Sequence, residues 1–367
     1  MKTILGGEIT QITSLVQEGR ELSYSRMLAE ANKLGGAGIT GVTSDIVFHQ
    51  GNVEFLSIGS CVHKPNELLE KKFSSSSDGQ ELYCQLDAGF QPLKFVFGNV
   101  AYSMGLGGGL SGFIRSFARG EVTEYSEIFS TTRHLALERI SAEAKEAGAN
   151  AVLGIETSIR PMGGFQEMLM IGTAAKHPAL DSFAAHPVTS DLTNQELWNV
   201  VHMGYMPIRL VMGVSVYSIG IAGGIISAFQ SLGRGELNMV SSLLYEAREN
   251  AIEQMHKEAR SYGADDVLGI RTYVYQIGGG LVEFFAIGTA VRKIEGITTL
   301  TPALPPQAVI VDQDTFVNEV DGAGFVQNLN SSRDRSQAIK QAPALIVILI
   351  VISMIMMQVF LRNFFHR

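Results

Sequence analysis

The feature that most constrains this chain is repetition. A segment over 81–176 returns 115 residues later, over 196–293. Gly89, Pro92, Gly98, Tyr102, Ser103, Gly105, Gly108 and Gly109 return as Gly204, Pro207, Gly213, Tyr217, Ser218, Gly220, Gly223 and Gly224. Arg119-Gly120-Glu121 and Arg133 return as Arg234-Gly235-Glu236 and Arg248. Val152-Leu153-Gly154-Ile155 returns as Val267-Leu268-Gly269-Ile270. Ile171-Gly172-Thr173-Ala174 returns as Ile287-Gly288-Thr289-Ala290, with one residue inserted in the preceding hairpin. A truncated copy occupies 1–63, offset by 113. There Gly7-Glu8, Arg20, Gly35, Gly41 and Ile58-Gly59 align with Gly120-Glu121, Arg133, Gly148, Gly154 and Ile171-Gly172. A fixed period of this kind means one structural unit used about two and a half times.

Each unit reads the same way. Phe95–Tyr102 and Leu210–Tyr217 are rich in β-branched and aromatic residues and predict strands. Glu124–Ala147 sets Ile128, Leu135, Ile140 and Ala144 among charges, with Gly148 as a stop. This predicts a helix, and Met239–Tyr262 repeats the design. Two short apolar runs follow, Ala151–Ile159 and Glu167–Ala175, joined by Pro161-Met162-Gly163-Gly164. Their counterparts are Asp266–Tyr275 and Leu281–Val291. Glycines at the joins permit the positive φ of a tight hairpin. The expected fold class is α+β, a tandem of β-α-β-β units. The truncated copy keeps a helix and a hairpin, Ile39–Val47 with Glu54–Val62. It lacks the first strand and first helix, so its sheet is expected to have an open edge. Residues 64–80, with four serines in a row, and 177–195, polar with two prolines, read as linkers. Residues 294–341 read as a flexible stalk, with a short strand at Ala308–Val311.

The strand end Gly98–Val100, Tyr125 eight residues before Arg133, Ala247-Arg248, the block from Gly148-Ala149 to Gly154-Ile155, and the closing Gly288–Val291 together resemble the YbjQ family. These are small bacterial proteins labelled heavy-metal-binding domains. The resemblance spans all three copies. It implies a dodecin-like β-α-β-β unit and assembly into closed rings through shared sheets. The chain departs from the family over 95–114 and 210–232, which carry no charge. Their length alone would suit a membrane span, but their many glycines and their match to a strand, turn and helix favour the latter. Whether they face a membrane, a lumen or a partner stays open. The glycine run at 105–109 is a weak phosphate-loop signal, because no Lys-Ser/Thr follows it.

A structural zinc site wants Cys or His in closely spaced pairs. Cys61 and His63 share a strand face and His49 sits in the facing strand, which makes this trio the weak metal candidate. The middle copy has Ala174 and Lys176 at the matching positions, so packing and a solvated histidine are the plainer reading. Cys61 and Cys84 are the two cysteines, and their pairing stays open. No nucleophile-elbow pattern stands out, so no catalytic residue and no cofactor are expected. The repeated charges are Glu8, Glu121 and Glu236, and Arg20, Arg133 and Arg248. Each pair reads as a brace between a helix and the turn before it.

Residues 342–361 are 20 consecutive uncharged residues, enough for a helix of roughly 30 Å. They predict a C-terminal transmembrane helix. The N-terminus has no apolar signal region, and two cysteines fit a reducing compartment, so the bulk is expected in the cytoplasm. Acidic residues number 36 against 28 basic, which argues against nucleic acid as a partner. The expectation is a non-enzymatic scaffold on the bacterial inner membrane. Its partners would be copies of itself and the lipid bilayer, and it would build a ring, dome or cage at the cytosolic face. The alternative is a module that holds a metal ion or small ligand between subunits.

Overall fold

The structure is a computed structural model and describes residues 7–49, 52–63, 72–103, 120–162, 165–218, 234–278 and 281–304. Unit 1 contains β1 (Gly7–Glu8), α1 (Thr10–Lys33), β2 (Gly38–His49) and β3 (Asn52–Val62). β4 (Phe73–Ser74) and α2 (Gly79–Asp87) lead into unit 2, with β5 (Gln91–Ser103), β6 (Gly120–Glu121), α3 (Thr123–Glu146), β7 (Ala151–Met162) and β8 (Phe165–Lys176). A 3₁₀ turn (Pro178–Phe183), β9 (Val188–Thr189) and α4 (Asn194–His202) lead into unit 3, with β10 (Tyr205–Ser218), α5 (Arg234–Ser261), β11 (Asp266–Gly278) and β12 (Leu281–Lys293). The α+β class and the repeated units agree with the sequence pattern.

Three sheets result, in the orders β1-β5-β8-β7-β9, β11-β12-β10-β6 and β3-β2-β4. The short strands cross from one unit to the next. β1 of unit 1 pairs with β5 of unit 2, and β6 of unit 2 pairs with β10 of unit 3. The three hairpins share a bulge at the same place, where the register shifts at Thr40/Thr43, Leu153/Glu156 and Leu268/Arg271, and the last shifts again at Gln276/Gly278. Gly41, Gly154 and Gly269 fill the shared bulge with φ of 61°, 59° and 65°, a conformation that a side chain disfavours.

Strand side chains alternate between faces, and each sheet uses both. Met168 and Met170 of β8 pack in one cluster with Phe129, Leu137 and Ile140 of α3. Leu169, with Phe95 and Phe97 of β5, packs instead with Tyr24 of α1, from the unit before. Unit 3 repeats this. Phe284 and Ala286 pack with Ala247, Ala251 and Met255 of its own α5, whereas Phe285 and Ile287 join the cluster of α3. The unit's own helix lies directly on its first strand. A Cβ on Gly98 would strike the Ala136 carbonyl, and one on Gly213 the Ala251 carbonyl. These two glycines therefore permit the approach of helix to sheet.

The segments expected to be linkers are packed structure. Ser75 and Ser77 are buried. Ser75 N donates to Ile39 O and Gly41 N to Ser77 O, which ties the segment to unit 1, while Ser76 N donates to Thr173 Oγ1 of unit 2 at 3.1 Å. In the second segment Ser190 N donates to Val152 O, and Asp191 N donates to Thr289 Oγ1 at 3.1 Å. Each thus clips one hairpin to the next. α2 and α4 follow, capped by Asp78 and by a Thr193–Glu196 capping box, and they pack on each other. Trp198 Nε1 donates to Asp87 Oδ2 at 2.7 Å. The start of the expected stalk is also packed: Leu300 N donates to Asp87 O, and Thr301 Oγ1 donates to its carboxylate. The strand expected at Ala308–Val311 and the helix expected at 342–361 lie outside the described residues. So do the later parts of 95–114 and 210–232, whose first parts are β5 and β10.

Candidate functional site

The most distinctive polar groups sit at the junctions between units. Arg20 projects from α1 and Glu167 from β8 of the next unit, both with fully buried side chains. The pair is bidentate: Nε donates to Oε1 at 2.9 Å and Nη2 to Oε2 at 2.6 Å. Nη1 donates to the Ser44 carbonyl at 2.9 Å and hydroxyl at 2.8 Å. Withdrawing such charges from water is costly, and hydrogen bonds to the guanidinium offset part of that cost. Around the pair, Thr13 Oγ1 accepts from Ala101 N at 2.9 Å, and Ile9 N donates to Ala101 O.

The second junction has the same plan. Arg133 of α3 meets Glu283 of β12, with Nη1 2.5 Å from Oε1 and both side chains buried. Ser126 Oγ accepts from Val216 N at 2.9 Å, and Val122 N donates to Val216 O. Here the guanidinium carbon also lies 4.2 Å from the centre of the Phe285 ring. Burial pushes the Glu283 carboxyl above its usual range, against the opposing pull of Arg133. In the neighbouring clip, burial raises Asp191 to about 6, opposed by the Thr289 hydrogen bond and by Arg271.

The arginine series was therefore legible in the sequence, but its acid partners were not those expected. Glu8 accepts from Arg139 at 2.7 Å, and Glu121 accepts from Ser126. The helix aims Arg20 and Arg133 at the next sheet rather than back at the turn before it. The partners that sequence reasoning missed, Glu167 and Glu283, recur 34 and 35 residues after their own unit's arginine, and so does Glu54 after Arg20. Arg248 is exposed, and the side chain of Glu236 is not among those described.

The metal trio does not assemble. His49 pairs with Asn52 at the hairpin tip, whereas Cys61 lies opposite Ile39 at the far end, roughly 30 Å along the strand. His49 Nε2 lies 2.9 Å from Glu54 Oε2 instead, and His63 is exposed. Cys61 and Cys84 are not bonded to each other. Among the described residues, no group of three or more His, Cys, Asp or Glu could hold a metal ion.

Tandem β-α-β-β units joined by buried ion pairs define a class of repeat protein. The YbjQ family, described as "putative heavy-metal-binding", matches residues 1–63, 90–177 and 203–294. The chain belongs to this family and carries it in three tandem segments. An encapsulin nanocompartment protein of Mycobacterium tuberculosis is 30% identical over 244 residues, which are 64% of this chain and 91% of that relative. A UPF0145 protein of Thermotoga maritima is 40% identical over 85 residues, 23% of this chain and 80% of its own length. One from Thermosipho africanus is 39% identical over 83 residues, 23% of this chain and 77% of its own length.

The expected place in the bacterial inner membrane is corrected by these findings. Among the described residues no helix is long and apolar enough to cross a membrane. The Mycobacterium tuberculosis relative, matched over 91% of its length, is named as a nanocompartment protein.

Proposed function

We propose that this chain is a self-assembling structural protein without a catalytic role, which joins copies of itself into a ring-, dome- or cage-like particle. The observation that carries this reading is the junction seen twice, in which a helix of one unit covers the sheet of the next and an arginine meets a glutamate in the buried seam. The same two groups at equivalent places in successive units are what a joint requires. A catalytic site would instead gather unlike groups around a cleft. The name of the Mycobacterium tuberculosis relative supports the same reading. Mass photometry and negative-stain microscopy of the full chain are expected to give one dominant species of many chains. A single chain at every concentration overturns the proposal. Stoichiometric metal in the same sample would favour the role named in the family's description.

A further inference from the structure

The internal junctions use up two helices and two sheets, and each end of the series keeps one unused half. At one end stands α5. Its equivalents of Ser126, Phe129, Arg133 and Leu137 are Ser241, Leu244, Arg248 and Ile252. In α3 all four are buried, and Ser126 and Arg133 reach Val216 and Glu283 of the next sheet. In α5, Ser241 and Arg248 are exposed and Leu244 and Ile252 only half-buried, while Ala247, Ala251 and Met255, which face its own sheet, are buried. At the other end stands the hairpin of unit 1. The positions of Glu167, Leu169 and Ile171 are held there by Glu54, Leu56 and Ile58. Glu167 and Leu169 are 0% and 2% exposed, whereas Leu56 and Ile58 are 36% and 55% exposed and the Glu54 side chain 56%.

We infer that these two faces dock on each other between copies, so that the occupant of the exposed unit 1 hairpin is α5 of a second copy of this chain. This rests on the assembly proposed above and names its contact. Three features carry it. The contact continues a joint that the chain already makes twice. The charges are complementary at the matching positions, with Arg248 on the helix and Glu54 on the strand. The exposed face of β3 is apolar at the two positions that follow the acid. Docking moves Glu54 from His49, its present partner, to Arg248 of the neighbour, and covers Leu56 and Ile58. Such a contact is head-to-tail, and it closes into a ring or particle if the rotation permits. It also differs from the internal joints. Among the described residues unit 1 has no counterpart of β5 or β10, so the helix face and the ion pair carry the contact without strand pairing. It should therefore loosen on dilution while the internal joints hold.

The test is a charge exchange in the full chain. Arg248→Glu and Glu54→Arg are at exposed positions, so each variant should melt as the unchanged chain does. Each alone should fall in mass to the single chain. An equal mixture of the two should recover large particles, because the new acid of one faces the new base of the other. Ile58→Lys should also give single chains. If the unchanged chain assembles and the exchanges leave particle size intact, this contact is wrong while the assembly reading stands. If the variants separate but their mixture does not recover, the pairing of these two residues is wrong. If the unchanged chain never assembles, both proposals fall together.

Discussion

The two internal junctions occupy equivalent places but hold their arginines by different means. At the first, Arg20 donates to both oxygens of Glu167 and to Ser44. At the second, the residue equivalent to Ser44 is Thr157, whose buried hydroxyl has no hydrogen-bond partner among the described residues. The residue equivalent to Leu169 is Phe285. Arg133 lies over that ring, and its Nε and Nη2 find no hydrogen-bond acceptor among the described residues. The shared architecture thus fixes where the charge must sit, and local residues decide how it is solvated. One junction uses hydroxyl and carbonyl oxygens, the other an aromatic face, which attracts a desolvated guanidinium by up to about 2 kcal/mol.

The comparison breaks most visibly at the carboxylates. Glu167→Ala leaves Arg20 buried with only Ser44 beside it and should cost about 3–5 kcal/mol, read as a shift of the urea midpoint. Glu283→Ala should cost less, because Phe285 still covers Arg133 and burial already disfavours the Glu283 anion. Equal losses would show that the ring contributes nothing.

The clips differ too, with Ser76 at the first and Asp191 at the second. Asp191 stands near 6 in the folded chain against 3.8 for the free group. The folded state therefore binds its proton more tightly. The stability this gives is fully present below about pH 4 and is lost as pH rises through about 6. The difference of roughly two units corresponds to about 3 kcal/mol. Asp191→Ser should remove most of that difference between stabilities read from urea midpoints at pH 4 and pH 7. An unchanged difference would mean that Asp191 is solvated in the folded chain.

Phe285→Leu gives the second junction the side chain of the first and should cost about 1–2 kcal/mol. Adding Thr157→Ser should return part of this loss by offering Arg133 the partner that Arg20 has. A double variant no more stable than the single one would show that the hydroxyl at 44 is incidental to the first junction.

The repeat exposed the units, their hairpins and their bulge glycines, because Gly41, Gly154 and Gly269 answer a local demand of the backbone. It also marked Arg20, Arg133 and Arg248 as special. Their partners escaped because Glu8 and Glu121 lie close to them in sequence, whereas Glu167 and Glu283 reach them from the following unit, 147 and 150 residues on. The clips were misread for a similar reason. Ser74–Ser77 looks like solvated chain, yet Ser75 bonds Thr173, a contact 98 residues away that composition alone does not reveal.

α3 has its own sheet on one side and the next unit's sheet on the other. This overlap has a consequence for how such chains can lengthen. A duplicated unit arrives with a sheet that fits the helix before it and a helix that fits the sheet after it. Gene duplication can therefore add a unit without first inventing a new surface. A deletion inside the series, by contrast, brings together a helix and a sheet that carry the arginine and the glutamate of the same kind of joint, so loss of a middle unit leaves only the neighbouring side chains to adjust.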